Sequence, residues 1–156
     1  MIDDTPRTRE LLTTALHVRR WVDEVAAGCP YDDVDAMLPV ADLAARHLTD
    51  SEVDEAVAGH PRIGERGTGG GAALSRSEQA SSATEDPALV TAMTEGNAAY
   101  EQRFGRIFLI RAAGRTRPEI LAELQRRLAS DPATETREAA DQLRQIALLR
   151  LNTLFA

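Results

Sequence analysis

Apolar residues recur every three or four positions along most of the chain, the spacing that lines one face of an α-helix. Residues 7–27 carry Leu11, Ala15, Val18, Val22 and Val25 in that register, and Gly28 and Pro30 stop the helix they predict. A second helix is expected from Asp32 or Asp33 to His47, with Val34, Met37, Leu38, Ala41, Ala45 and Leu48 inward. Pro39 lies inside it, where a missing N–H kinks or divides a helix. Thr49-Asp50-Ser51-Glu52 has the form of a capping box and opens a short helix to Ala58. Ser75-Arg76-Ser77-Glu78 has the same form and predicts a helix start at Ser75. Asp86-Pro87 supplies an N-cap and a first-position proline for a helix bearing Leu89, Met93, Asn97, Tyr100 and Phe104, closed by Gly105. Thr116-Arg117-Pro118-Glu119 caps another, with Ile120, Leu121, Leu124 and Leu128 inward, and Ser130-Asp131-Pro132 breaks it. The last helix covers residues 134–154, with Ala139, Leu143, Ile146, Ala147, Arg150 and Leu154 spaced along it.

Two stretches depart from helical spacing. Ile107-Phe108-Leu109-Ile110 is a short apolar run, either a strand or an extended buried segment. Residues 59–74 hold six of the ten glycines, at 59, 64, 67, 69, 70 and 71. A loop of that length in a small domain is functional or disordered. The chain has 156 residues, enough for one domain with a real core. The expectation is an all-α fold: a single compact domain over residues 1–156, of seven or eight helices with one short extended segment.

Composition narrows the function. Hydrophobic residues make up 43% and aromatics 4%, so Ala and Leu dominate the core, which favours helices. The net charge of −7 gives no broad attraction for nucleic acid or an anionic membrane, though a local cationic pocket for a small anion is compatible with it. Cys29 is the single cysteine, so neither an intrachain disulfide nor a cysteine metal cluster forms. No basic residue adjoins Cys29 to activate it, and a packed or solvent-facing thiol is the simpler reading. No apolar run approaches the ~20 residues that span a bilayer. Met1-Ile2-Asp3-Asp4 is not the start of a signal peptide, and Leu154-Phe155-Ala156 is not a peroxisomal tripeptide. A cytoplasmic location is the default expectation.

Among titratable groups, His60 stands out. It lies in the glycine-rich loop, and Pro61 confines it to extended backbone, which fixes how the imidazole is presented. An imidazole donates or accepts a proton near neutral pH. A solvated loop histidine is the simpler alternative, and His17 and His47 lie in helical segments and carry no chemical signal. Ser75, Ser77, Glu78 and Gln79 share an expected helix start that favours an anion, though capping explains Ser75 and Glu78 as well. Arg150 sits between Leu149 and Leu151, four residues after Ile146, so it either points inward toward an acceptor or snorkels from the helix edge. Gly67–Gly71 lacks the lysine and the preceding strand of a phosphate loop. No metal-ligand spacing is present, so no metal is expected.

In chain order, the sequence carries Trp21 with Pro30-Tyr31; His60-Pro61-Arg62-Ile63-Gly64; Ser75-Arg76-Ser77-Glu78-Gln79; Asn97 and Tyr100 leading to Arg103-Phe104-Gly105; Phe108-Leu109-Ile110-Arg111-Ala112; and Ile146-Ala147-Leu148-Leu149-Arg150-Leu151. Each piece is modest alone. As an ordered set over nearly the whole chain they resemble the 2-oxo-4-hydroxy-4-carboxy-5-ureidoimidazoline (OHCU) decarboxylases of purine catabolism. The resemblance implies an all-helical fold, often a homodimer, with no metal or organic cofactor, that converts OHCU to S-allantoin and CO₂ in urate breakdown. It makes His60 the counterpart of the catalytic histidine and Glu78 and Arg150 the counterparts of the acidic and basic active-site residues. It makes Pro61, Ser75, Arg76, Ser77, Glu78, Gln79, Phe108, Leu109, Ile110, Arg111 and Ala112 substrate-binding positions. One departure is visible: Ser81 stands where the family commonly has glycine. Two other readings compete, a different His/Glu-dependent lyase or hydrolase acting on a ureido or imidazole compound, and a helical interaction module without catalysis.

Overall fold

The computed structural model describes residues 1–65 and 71–156. The glycines at 67, 69 and 70 therefore lie outside the described residues. Among those described there are eight α-helices: α1 (Pro6–Ala15), α2 (Arg19–Ala27), α3 (Val34–Ala45), α4 (Asp50–Ala58), α5 (Ala72–Gln79), α6 (Pro87–Phe104), α7 (Arg117–Leu128) and α8 (Pro132–Leu154). A 3-10 turn, Ala80–Ser82, continues α5. The only β pairing among the described residues is an isolated bridge between Ile2 and Tyr31. The fold is all-α, as the periodicity implies. The described chain forms two compact units, Met1–Ala56 with Ala140–Ala156, and Val57–Ala139.

In the first unit, the helix expected over residues 7–27 is two helices. The break falls at Leu16-His17-Val18, where Leu16 and Val18 are extended. Extended backbone alternates sides at every residue. It buries both Leu16 and Val18 while His17 stays exposed, whereas a continuous helix would turn Leu16 and Val18 200° apart. Pro39 neither ends nor divides α3. The carbonyl that loses its helical donor belongs to exposed Asp35, so water can serve it. Trp21 is buried and donates its indole N–H to the Ala41 carbonyl at 3.0 Å, tying α2 to α3. The Thr49–Glu52 capping box forms in both directions, at 2.9 and 3.1 Å.

In the second unit, α6 and α7 pack against each other. They approach closely at Gly96, where a Cβ would lie 2.5 Å from Leu124 Cδ2. Ile63, Met93, Tyr100, Phe108, Ile110, Ile120 and Leu124 belong to one buried cluster. Gly105 closes α6 in the left-handed region, at φ 72°. The run 107–110 is not a strand; Phe108, Leu109 and Ile110 are buried and Ile107 is half-buried. Thr116 and Glu119 form the expected capping box of α7. α8 begins at Pro132, two residues before the expected start, with the Asp131 carboxylate accepting from Thr134 N–H at 2.9 Å. No helix among the described residues is long and apolar enough to cross a membrane.

Candidate active site

α4 ends at Ala58, and the His60 N–H closes its last turn by donating to the Val57 carbonyl at 3.0 Å. His60 and Pro61 are half-buried. The residues that follow are held at successive positions. Arg62 makes a two-pronged contact with Glu101 of α6, at 2.8 and 2.6 Å. The Ile63 side chain enters the buried cluster, and its carbonyl accepts from Asn97 Nδ2 at 3.2 Å. Gly64 has φ 94°, a conformation that favours glycine, and its N–H donates to Gln79 Oε1 at 2.9 Å. Side chains of α5 and α6 thus fix the stretch that presents His60. Arg62 holds the Glu101 carboxyl below its ordinary range by hydrogen bonding to it.

The sequence expectation for α5 needs correction. The helix starts at Ala72, not at Ser75, and the Ser75 N–H donates to the Gly71 carbonyl at 2.9 Å. Ala72, Ala73 and Leu74 are strong helix formers and extend it backward. Ser75 is therefore an interior, buried helical residue and not an N-cap. Capping no longer accounts for Ser75 and Glu78. Arg76 and Ser77 are exposed; Glu78 and Gln79 are half-buried.

Phe108, Leu109, Ile110 and Ala112 have buried side chains, and Arg111 is half-buried. Recognition by the four buried positions would fall to the main chain. The segment is braced by a buried hub. Arg127 of α7 is 1% exposed and Glu135 of α8 is 0% exposed. Arg127 Nε donates to Glu135 at 2.9 Å, and NH1 donates to the Leu109 carbonyl at 2.7 Å. The guanidinium also stacks 4.6 Å from the Phe108 ring centroid. Tyr100 of α6 donates its phenol to the same Glu135 carboxylate at 2.5 Å. Burial, then that bond, pushes the Tyr100 phenol well above its ordinary range. Arg150 belongs to the first unit; it is 5% exposed and donates to the Thr14 carbonyl at 2.9 Å. It is inward-pointing, as one of the two sequence readings held.

The second unit also contains a cleft of about 810 Å³ walled by Arg62, Gly64, Gln79, Met93, Asn97 and Arg117, among others. Of the matched site residues, Arg76 and Gln79 line it; His60, Glu78 and residues 108–112 do not. Among the described residues no group of three or more His, Cys, Asp or Glu side chains could hold a metal ion. Burial, with Asp4 and Asp3 nearby, pushes the Cys29 thiol up, away from reactivity.

Sequence reasoning passed over Arg127, Glu135 and Arg117. The signal was present. Arg127 is seven residues after Ile120 and three after Leu124, on the apolar face of α7; Glu135 is four before Ala139 and eight before Leu143. Charge at an inward register marks a buried pair. Arg117 has the same register, three residues before Ile120 and seven before Leu124, but was read only as part of the capping sequence at the helix start.

The OHCU decarboxylase family model matches residues 4–152. The chain is 30% identical over 138 residues to the uric acid degradation bifunctional protein TTL of Arabidopsis thaliana, covering 85% of this chain and 43% of that protein. It is 35% identical over 99 residues to the 2-oxo-4-hydroxy-4-carboxy-5-ureidoimidazoline decarboxylase of Amia calva, covering 61% and 57%. The chain thus spans about half the length of these curated relatives. A crystal structure of an OHCU decarboxylase in the presence of (S)-allantoin superposes with a TM-score of 0.80 at 26% identity, over 94% of this chain and 97% of that one. A crystal structure of an (S)-allantoin synthase shares the fold, with a TM-score of 0.66 at 18% identity, over 97% of this chain and 51% of that one.

Proposed function

The chain belongs to the OHCU decarboxylase family, and from that premise we propose that it decarboxylates OHCU to S-allantoin in urate degradation, with His60 as its proton-handling residue. One observation carries the reading beyond likeness. Gln79 Oε1 accepts from the Gly64 N–H at 2.9 Å, joining the His60–Gly64 stretch to the Ser75–Gln79 helix, two motif pieces far apart in sequence.

In the substrate, the carboxylate sits on the ring carbon that also bears the hydroxyl, next to the ring C=N carbon that bears the ureido group. When CO₂ leaves, the electron pair of the broken C–C bond enters the conjugated ring, which serves as the electron sink. The protein must hold the carboxylate perpendicular to the ring, stabilise the developing charge and deliver a proton to one face. His60 takes the proton role at the hydroxyl and the reacting carbon. Glu78 orients the imidazole or holds substrate N–H groups, and Arg150 takes an anionic or carbonyl edge. Gln79 has a narrower role than its amide alone implies. Its Oε1 is engaged by Gly64, so Nε2 is the end available to a substrate carbonyl. Ser75, Arg76, Ser77 and Pro61 line the substrate's surroundings in this reading. At residues 108–112 the Leu109, Arg111 and Ala112 carbonyls already accept from Arg127 and Arg115. The main-chain groups of Phe108 and Ile110 have no hydrogen-bond partner among the described residues, and they are the ones free to read the ring and ureido amides.

The continuous family match through both units supports treating residues 1–156 as one domain. We read the protein as a cytoplasmic homodimer; sedimentation at two concentrations giving a monomer throughout contradicts the dimer. The activity is tested by feeding freshly generated OHCU to the purified protein and following optical rotation. Optically active allantoin forming faster than spontaneous decay is expected. Racemic product at the spontaneous rate contradicts it and favours the interaction-module reading.

A further inference from the structure

The 810 Å³ cleft falls within the size range of small-molecule pockets. Two buried side chains in its wall have hydrogen-bonding capacity that the other described residues leave unused. Asn97 is 5% exposed. Its Nδ2 donates to the Ile63 carbonyl, which fixes the amide's orientation and leaves Oδ1 as the acceptor. That Oδ1 has no hydrogen-bond partner among the described residues. A buried amide oxygen without a donor is destabilising and calls for an explanation.

Arg117 is the second. It is 7% exposed, and its Nε donates to the Ser82 carbonyl at 3.0 Å. No carboxylate pairs with it among the described residues. The cleft's two acids, Glu65 and Glu101, are both engaged by Arg62. A buried guanidinium normally has a carboxylate or a bound anion beside it.

We propose that this cleft binds a small carboxylate bearing an N–H group close by, as a ureido- or amido-substituted acid does. The carboxylate sits on the remaining Arg117 donors and the N–H on Asn97 Oδ1. The two requirements select this chemistry together. Chloride or acetate answers Arg117 and offers Asn97 no donor. A neutral amide answers Asn97 and leaves the cation uncompensated. Asn97 and Gln79 are also the anchors of Ile63 and Gly64, so occupancy acts on the stretch that presents His60. The cleft shares Arg76 and Gln79 with the proposed substrate surroundings but is not lined by His60 or Glu78, and its binding does not rest on the proposed reaction.

The test uses N-carbamoylglycine as probe and ¹⁵N NMR of the whole chain as readout. The Asn97 side-chain amide and the Arg117 Nε–H resonances should shift, in the wild type and in His60→Ala alike. Arg117→Met should weaken binding at least about tenfold, the usual loss of a charge-assisted pair. If that variant does not fold, Arg117→Lys keeps the charge without the fork and should bind at least about threefold more weakly. Acetate should bind at least about threefold more weakly than N-carbamoylglycine, for want of the Asn97 bond. Three results overturn the proposal: shifts confined to the surroundings of His60 and Glu78, unchanged affinity in the Arg117 variants, or equal affinity for acetate, which would mean an adventitious ion only.

Discussion

Two buried arginines mark the two ends of the α6–α7 pair, and they are treated in opposite ways. Arg127 is saturated: Glu135 meets its charge, the Leu109 carbonyl takes a further donor, and Phe108 covers its face. Arg117 has one carbonyl and no carboxylate among the described residues. Burying a cation costs several kcal/mol unless a partner repays it, on the order of what breaking a buried pair costs. A saturated charge therefore reads as structure. A charge left open beside an unpartnered amide, in a cleft, reads as a place for a ligand. The hub ties the Leu109 carbonyl and the Phe108 ring to α7, and the open end leaves capacity for something outside the chain.

Removing the hub's anion should give the largest effect. Glu135→Ala strands Arg127 in the core and should lower unfolding stability by about 3–5 kcal/mol in urea titration. The double replacement Arg127→Met with Glu135→Leu should recover most of that loss; full additivity of the two single changes would break the hub account. Next comes the joint between the two ends. Gly96→Ala sets a methyl against buried Leu124 and should cost about 1–3 kcal/mol by overpacking. A wild-type melting temperature would show that α6 and α7 need no such close approach.

Arg117→Met gives the sharpest contrast. It forfeits the Ser82 bond yet removes a buried charge whose ionised form burial already disfavours. The two effects oppose, and the net cost should stay under about 1 kcal/mol. A loss comparable with that of Glu135→Ala would make Arg117 a structural residue and erase the comparison. The smallest effect is on pH dependence. Glu101 titrates below its ordinary 4.5 in the folded chain because Arg62 donates to it. Its contribution is complete above that value and is lost as the pH falls through the lowered one. Glu101→Gln should flatten that part of the acid limb in stability measured against pH; an unchanged limb rules the pair out.

Legibility followed the same division. Helices with both a period and a cap were readable: Thr49–Glu52, Asp86-Pro87 and Thr116–Glu119 form as their side chains dictate. Errors came where tertiary burial overrode local signals. At Leu16–Val18, burying two apolar side chains in an extended stretch outweighed helical continuity, and at α5 three helix formers outweighed a capping pattern. Of the candidate site, His60 was visible through its loop and Pro61. Arg127 and Glu135 were spelled out by register but looked like ordinary surface charges. Asn97 was quoted as a motif residue, yet its free oxygen follows only from what packs around it.

The central claim is that His60 handles the proton of a decarboxylation on this scaffold. The direct test is the initial rate of optically active allantoin formation by His60→Ala at saturating, freshly generated OHCU, with folding checked by circular dichroism. The rate should fall by about 10²- to 10⁴-fold, the usual contribution of a general acid–base group. A rate equal to that of the wild type would contradict the account.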